Sequence, residues 1–289
     1  MISQIGTSIS RIPGSFRKFF ELWREHGFGY SIATQINKLR YKSLNRRLTK
    51  SQLAVSQGIT LNVHQEAHSD FRYFTDFNAE MVEEMQAFIR TISGKLCLLD
   101  VGAHYGIFSL VFAKRPNTVA LAFEPSSSTY EMLRYHQQAN PDCNIKPFQL
   151  ALGASEGKLK MQQDGTHLVA VSTEGSIPET ILEVDVTTID TFVQQHNIVP
   201  DVMKIDVEGF ELNVLKGASA FLSQNNPLIF LEVHPTFLEE NGDSVDELIN
   251  FLFKFNYRFY DGNHKLIKEP GSFLNQCIRR VICSKQPLS

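Results

Sequence analysis

No apolar run in this chain approaches the ~18 residues that a membrane-spanning helix needs, and the N-terminus lacks the uninterrupted apolar core of a signal peptide. A cytoplasmic location is therefore the expectation. Cysteine is scarce: Cys97, Cys143, Cys277 and Cys283 show no C-x-x-C pairing, which favours burial as small hydrophobes over a disulfide framework or a zinc site. Extreme charge is lacking too. A formal net charge of −3 with 43% hydrophobic residues describes an ordinary core-forming protein, and no nucleic-acid partner is expected. Internal repeats and low-complexity segments are missing. So is the dinucleotide fingerprint G-x-G-x-x-G, because Gly102 is followed two positions on by His104. That weakens the reading as a nicotinamide-dependent oxidoreductase.

Leu98-Leu99-Asp100-Val101-Gly102-Ala103-His104-Tyr105-Gly106 instead places an acid and two glycines where an apolar strand should turn into a helix. Glycines lacking a Cβ allow backbone N–H groups to approach a ligand there. The pattern Asp-x-Gly-x-x-x-Gly suits a ligand bearing an amino acid rather than a diphosphate, and S-adenosylmethionine is such a ligand. A second requirement is an acid at the end of the next strand, where a carboxylate can accept two hydrogen bonds from a ribose diol. Thr118 to Phe123 reads as that strand, and Glu124-Pro125 ends it.

The chain divides by charge. From Arg11 to Lys50 there are ten Lys or Arg and two Glu, whereas the remainder is acidic. Residues 1–69 read as a basic, mainly helical extension broken at Pro13-Gly14 and Gly27-Phe28-Gly29, with aromatic and cationic residues mixed around Phe16 to Trp23. Such a segment suits peripheral contact with an anionic membrane or an acidic partner. Residues 70–289 read as the main domain. A helix over Phe77 to Ile89, with Asn78 as N-cap, precedes the first strand. Strands and helices then alternate, which argues for a parallel sheet covered on both faces. Ser128-Thr129-Tyr130-Glu131 has the form of a capping box opening a helix that ends near Asn140. Ile145 to Ala151 is the third strand, Asp201 to Asp206 the fourth and Leu228 to His234 the fifth. Gly153 to Thr187 reads as an inserted hairpin. Tyr257 to Tyr260 and a final antiparallel strand, Cys277 to Cys283, complete seven strands.

Ligands of an open α/β sheet bind beyond the carboxyl ends of the strands, so Asp100, Glu124, Asp206 and His234 should converge. Strand alternation puts Lys204, Asp206 and Glu208 on one side, and Glu232 and His234 likewise share a side. Lys204 and Asp206 in an apolar strand should have charged partners, since an isolated buried charge is expensive.

Asp100-Val-Gly-Ala-His-Tyr-Gly106, Ala122-Phe-Glu-Pro125, Ala151-Leu-Gly153, Lys204-Ile-Asp-Val-Glu-Gly-Phe-Glu211, Leu215-Lys-Gly-Ala218 and Glu232-Val-His234 together resemble the FkbM family of S-adenosylmethionine-dependent methyltransferases. The resemblance runs from about Phe71 to Tyr260. The family usually has asparagine where this chain has His104. The resemblance implies a Rossmann-like class I fold and methylation of a hydroxyl on a sugar, glycan or specialised metabolite. It also implies that Asp100, Gly102, Ala103, His104 and Gly106 hold the methionine end of the cofactor, Glu124 and Pro125 the ribose side, the backbone around Ala151 the adenine, and Asp206 the reaction edge.

Methyl transfer from a sulfonium mainly requires alignment of an oxygen with the methyl carbon, plus removal of the hydroxyl proton. His234 is the first choice of base because its ordinary pKa is near neutrality, with Asp206 or Glu208 as alternative base or orienting partner and Lys204 beside them. A divalent cation held by Asp206, Glu208, Glu232 and His234 ranks lower because no tight ligand spacing supports it, and no metal is expected. A non-catalytic membrane-surface or partner-binding module driven by the basic extension is the remaining rival.

Overall fold

The computed structural model describes residues 52–56, 58–164, 167–170 and 181–288. Residues 51–289 form one compact unit. The basic stretch from Arg11 to Lys50, with its expected helical pieces and membrane contact, lies outside the described residues.

Seven strands make the main sheet: β3 (Cys97–Val101), β4 (Val119–Phe123), β5 (Ile145–Phe148), β10 (Val202–Ile205), β11 (Leu228–Val233), β12 (Arg258–Tyr260) and β13 (Arg279–Ser284). Their order is β12-β13-β11-β10-β3-β4-β5, and β13 runs antiparallel to both neighbours while the pairs from β11 to β5 are parallel. This is the Rossmann-like class I arrangement that the family resemblance implies, and its parallel pairs are those the alternation of strands and helices predicts. The chain steps outward from β3 through β4 to β5, then returns to the other side through β10 and β11. The order therefore reverses at β3, and the crevice at the carboxyl ends of β3 and β10 is where ligands of such sheets bind.

Alternate residues of the central strands enter two separate cores. Leu98, Ala120, Ala122, Val202 and Phe230 pack on one face with α1 (His68–Arg72), α2 (Ala79–Thr91) and α3 (Ile107–Ala113). Leu99, Val101, Met203, Ile205, Ile229 and Leu231 pack on the other with α5 (Ile189–His196), α6 (Glu211–Lys216), α7 (Ser219–Gln224) and α9 (Val245–Lys254). Asp100 and Lys204 are register partners, and they share the first of these faces.

Four expectations are corrected. Within the expected helical extension 1–69, the described residues 52–56 and 58–62 are not helical. They hold an antiparallel hairpin of β1 (Gln52–Ser56) and β2 (Ile59–Asn62), whose Leu53 and Leu61 join the first core with Val63. Asn62 and Asn140 exchange two hydrogen bonds of 2.8 Å, which fasten this hairpin to the end of α4 (Ser127–Ala139). The capping box at Ser128 does not form; Ser126 is the N-cap of α4, and its N–H is already committed to Glu124. The third strand stops at Phe148, because Ala151–Leu152 forms β6 and pairs with β9 (Ile181–Thr187) in a second sheet. With β7 (Gly157–Asp164) and β8 (His167–Ala170) that sheet has four strands, so the insert is more than a hairpin. Asn78 does cap α2, accepting from Glu80 and Met81 N–H as its position in the sequence predicts.

Candidate functional site

The loop between β3 and α3 is built by three left-handed residues, Gly102 (φ 77°), His104 (φ 51°) and Gly106 (φ 87°). Asparagine and histidine are both enriched in that conformation, so His104 suits a position where the resemblance leads to an expectation of asparagine. The N–H groups of Gly102 and Ala103 donate to the Phe123 carbonyl at 3.0 and 2.8 Å, and a turn bond from Gly106 N–H to the Ala103 carbonyl closes the loop. Gly102 cannot be otherwise: a Cβ there would lie 1.9 Å from the Asp206 carbonyl oxygen. The loop after β3 and the loop after β10 are thus in direct backbone contact.

Asp100 is buried beneath this loop and accepts a 2.6 Å bond from the Ser109 hydroxyl of α3. Burial raises its carboxyl to about 6, against the opposing pull of Ser109 and Lys204. Glu124, at the end of β4, takes one backbone N–H on each oxygen, from His104 at 3.0 Å and from Ser126 at 2.9 Å across Pro125. Burial again dominates and pushes it up to about 7. Each oxygen retains a second lone pair, so a diol remains an acceptable partner. Behind the loop, buried His136 bonds the Tyr105 carbonyl through Nδ1 at 2.8 Å and accepts from His64 N–H through Nε2 at 3.0 Å.

The second half of the site is a charge cluster at the ends of β10 and β11. Lys204 is 1% exposed, and its ammonium lies 3.2 Å from Glu84, 3.6 Å from Asp206, 3.9 Å from Glu232 and 5.0 Å from the Phe108 ring centre. Arg280 of β13 pairs with Glu232 and, at 2.9 Å, with Glu84. His234 is 3% exposed. Its Nδ1 is 2.7 Å from Glu211, while Nε2 faces Glu208 at 3.4 Å, Glu232 at 3.7 Å and Asp206 at 3.9 Å. Glu208 itself is left-handed, at φ 50°.

The charges of the cluster are set by one another. Burial alone would lower the His234 pKa, but Glu208, Glu211 and Glu232 outweigh it and raise the imidazole to about 10. His234 is thus biased toward its protonated form at neutral pH, unlike the ordinary imidazole that made it the first choice of base. Burial would also raise Asp206, yet Lys204 and His234 hold it below the ordinary carboxylate range. Glu232, for which burial prevails over Arg280 and Lys204, lies above that range. With its side chain 32% exposed, Asp206 is the most open of these groups, followed by Glu208 at 18%.

Asp206, Glu232 and His234 offer three ligand atoms within 4.8 Å of one another. They fit a divalent cation poorly, because Glu232 and Asp206 already face the Lys204 ammonium and Arg280 pairs with Glu232. The donor set fits an adenosyl sulfonium carrying an amino acid better: acceptors at two strand ends, separated by a loop of left-handed residues.

The structure brings Asp100, Gly102, Ala103, His104, Gly106, Glu124 and Pro125 into one contiguous unit and joins it to Lys204, Asp206, Glu208 and His234 through Gly102. Ala151 is placed differently from expectation, paired with Val186 in β6. The following Gly153 is enclosed by Val186 and Phe210, whose side chains a Cβ would meet at 3.0 and 3.2 Å. Sequence reasoning missed Glu84, Ser109, Glu211 and Arg280 as partners of the site. Glu211 had a signal, being the second acid of Glu208-Gly-Phe-Glu211; Glu84 and Arg280 had only a charge on an otherwise ordinary helix and strand.

The family described as the methyltransferase FkbM domain matches residues 100–259, more than half of the chain, a range that includes Asp100, Glu124, Asp206 and His234. The chain belongs to the FkbM methyltransferase family. It is 32% identical over 143 residues to the hexuronic acid methyltransferase AglP of Haloferax volcanii, covering 47% of this chain and 55% of that protein. The chain thus spans about half the length of the curated relative it matches. Among solved structures, a methyltransferase FkbM from Methylobacillus flagellatus KT aligns with TM-score 0.44 and 14% identity, covering 86% of this chain and 59% of that one. The plantazolicin methyltransferase BamL, solved with SAH, aligns with TM-score 0.40 and 8% identity, covering 89% and 99%.

Proposed function

We propose that this protein is an S-adenosylmethionine-dependent O-methyltransferase acting on a hydroxyl of a sugar or glycan. The observation that carries the reading is the placement of Asp100 and Glu124 on either side of the Gly102–Gly106 loop, in backbone contact with the loop that carries Asp206. The description of the Haloferax volcanii relative as a hexuronic acid methyltransferase supports a sugar acceptor. Bound S-adenosylmethionine would supply an activated methyl group on a good leaving group.

The residues of the chain have three tasks around it. Asp100 and the Gly102 to Gly106 backbone would hold the methionine end, and Glu124 the ribose hydroxyls through its free lone pairs. Asp206 and Glu208, the two open carboxylates, would orient an acceptor hydroxyl and take its proton as the new bond forms. His234 and Lys204 hold Asp206 toward its ionised form within a largely buried cluster. Proton removal thus passes to a carboxylate, with His234 as its charged partner.

Incubation of the purified protein with S-adenosylmethionine labelled in the methyl group and a panel of glycan, lipid, small-metabolite and protein fractions tests the reading. Label in a glycan or free-sugar fraction, as an alkali-stable methyl ether, is expected. Label confined to protein, or no heat of binding for S-adenosylmethionine in a calorimeter, would overturn it.

A further inference from the structure

Glu211 is fully buried, at 0% exposure, although it opens helix α6 directly after the loop that carries the more open Glu208. A carboxylate so enclosed is expensive unless its partners require it. Its Oε1 atom has two partners on different elements: His234 Nδ1 at 2.7 Å, at the end of β11, and the Gly209 N–H at 3.0 Å, in the loop after β10. Its Oε2 atom is buried with no hydrogen bond.

We infer that Glu211 is a positioning residue of the methyl-transfer site, one carboxylate oxygen fastening His234 to the loop that carries Asp206 and Glu208. The inference rests on the methyl-transfer reading above. Each bond fixes something the chemistry needs. The contact at Nδ1 fixes the imidazole ring so that Nε2 faces Glu208, Glu232 and Asp206. The ring is also stacked on Phe237 of α8 (Pro235–Glu240), at 6.0 Å between centres. The contact at Gly209 supports a backbone that would otherwise be free to relax, since Glu208 and Gly209 are both left-handed at φ 50° and 94°. A Cβ on Gly209 would meet Phe237 Cβ at 2.4 Å, so the loop is wedged against α8 on one side and held by Glu211 on the other. The groups facing His234 are Asp206 and Glu208 from that loop, Glu211 from α6 and Glu232 from its own strand; Arg280 of β13 reaches the cluster through Glu232.

The substitution Glu211→Gln keeps the shape and one acceptor oxygen but removes the charge. Proton NMR of the full chain without cofactor reads the Nδ1-bound proton of His234, identified by its loss in His234→Gln. In Glu211→Gln that resonance is expected to shift upfield or vanish into exchange with water. Calorimetry with S-adenosylmethionine should give an affinity within about threefold of the unsubstituted protein, while label transfer to the glycan fraction slows about 10- to 100-fold in kcat with little change in KM. If Glu211→Gln does not fold, Glu211→Asp, which keeps the charge but shortens the reach, is expected to give the same loss of the proton signal. A His234 resonance and a turnover both like those of the unsubstituted protein would overturn the inference. The proton signal is read without cofactor or acceptor, so it tests the Glu211 contact whether or not methyl transfer is found.

Discussion

Replacing Gly102 by alanine should damage this protein more than the same change at Gly106, although both glycines are left-handed and four residues apart in one loop. The backbone strain is common to both, at φ 77° and 87°, and costs about 1–2 kcal/mol for a residue with a Cβ. What the new methyl meets differs. At Gly106 it lies 2.4 Å from Leu133 Cδ1, the end of a side chain that can rotate away; at Gly102 it lies 1.9 Å from the Asp206 carbonyl oxygen. Backbone must then move by about 1 Å or more, adding an overpacking cost of about 1–3 kcal/mol. The displaced carbonyl belongs to a residue whose N–H bonds the Val101 carbonyl at 3.1 Å, so β3 and β10 separate where the site is. Gly102→Ala should lose about 2–5 kcal/mol and Gly106→Ala about 1–2 kcal/mol in urea denaturation. Label transfer in Gly102→Ala should fall about 100-fold. Equal stability of the two variants, with transfer intact in Gly102→Ala, would refute the claim that this glycine exists to let two loops touch.

Two further outcomes follow from the buried charges. Glu124, held up at about 7 by burial, must be ionised to accept two ribose hydroxyls. Affinity for S-adenosylmethionine should therefore rise by about 20-fold between roughly pH 5.5 and pH 7.5 and flatten above, as expected when the ionised fraction of such an acid limits binding. Glu124→Gln should remove that step in calorimetry, and an affinity independent of pH in the unsubstituted protein would refute the ribose role. Lys204→Met should cost about 3–5 kcal/mol of stability at pH 7.5, because it leaves buried acids short of a cation. Part of the loss should return on acidification, since an acid left facing one cation fewer, such as Asp206, gains a proton more readily in the folded state. Chemical denaturation at two pH values measures this, and no loss, or a loss unchanged by pH, would exclude Lys204 as the charge that holds the cluster together.

The portion of the site legible in the sequence is the portion made by neighbours along the chain. Asp100, Gly102 and Gly106 occupy one strand-to-helix turn, and Glu124 ends the next strand, so apolar runs and glycine spacing suffice to place them. Lys204 could be flagged as requiring a partner, because an unpaired cation in an apolar strand is costly. Its partners could not be chosen, for Glu84 reaches the cluster only after α2 packs on the sheet, and Arg280 only after β13 joins the sheet beside β11. Local signals failed where tertiary bonds competed with them. The capping box at Ser128 lost to Ser126, whose N–H Glu124 requires, and the third strand ended early because Ala151 found a partner in β9.

His234 shows why position alone does not assign a proton. A histidine at a strand end near neutral pKa is a natural base, but Asp206, Glu208, Glu211 and Glu232 surround this one, and their attraction exceeds the burial that would otherwise discharge it. The cations so formed at His234 and Lys204 in turn separate two neighbouring acids. Asp206, between Lys204 and His234, is held ionised and is open to a ligand, whereas Glu232, deeper in the cluster, is biased toward its protonated form. Environments that push neighbouring titratable groups apart divide the acid and base roles between them. On the proposed reading the acceptor's proton would go to Asp206 or to Glu208 beside it, and the imidazolium, held by Glu211, would keep Asp206 ionised until that proton arrives.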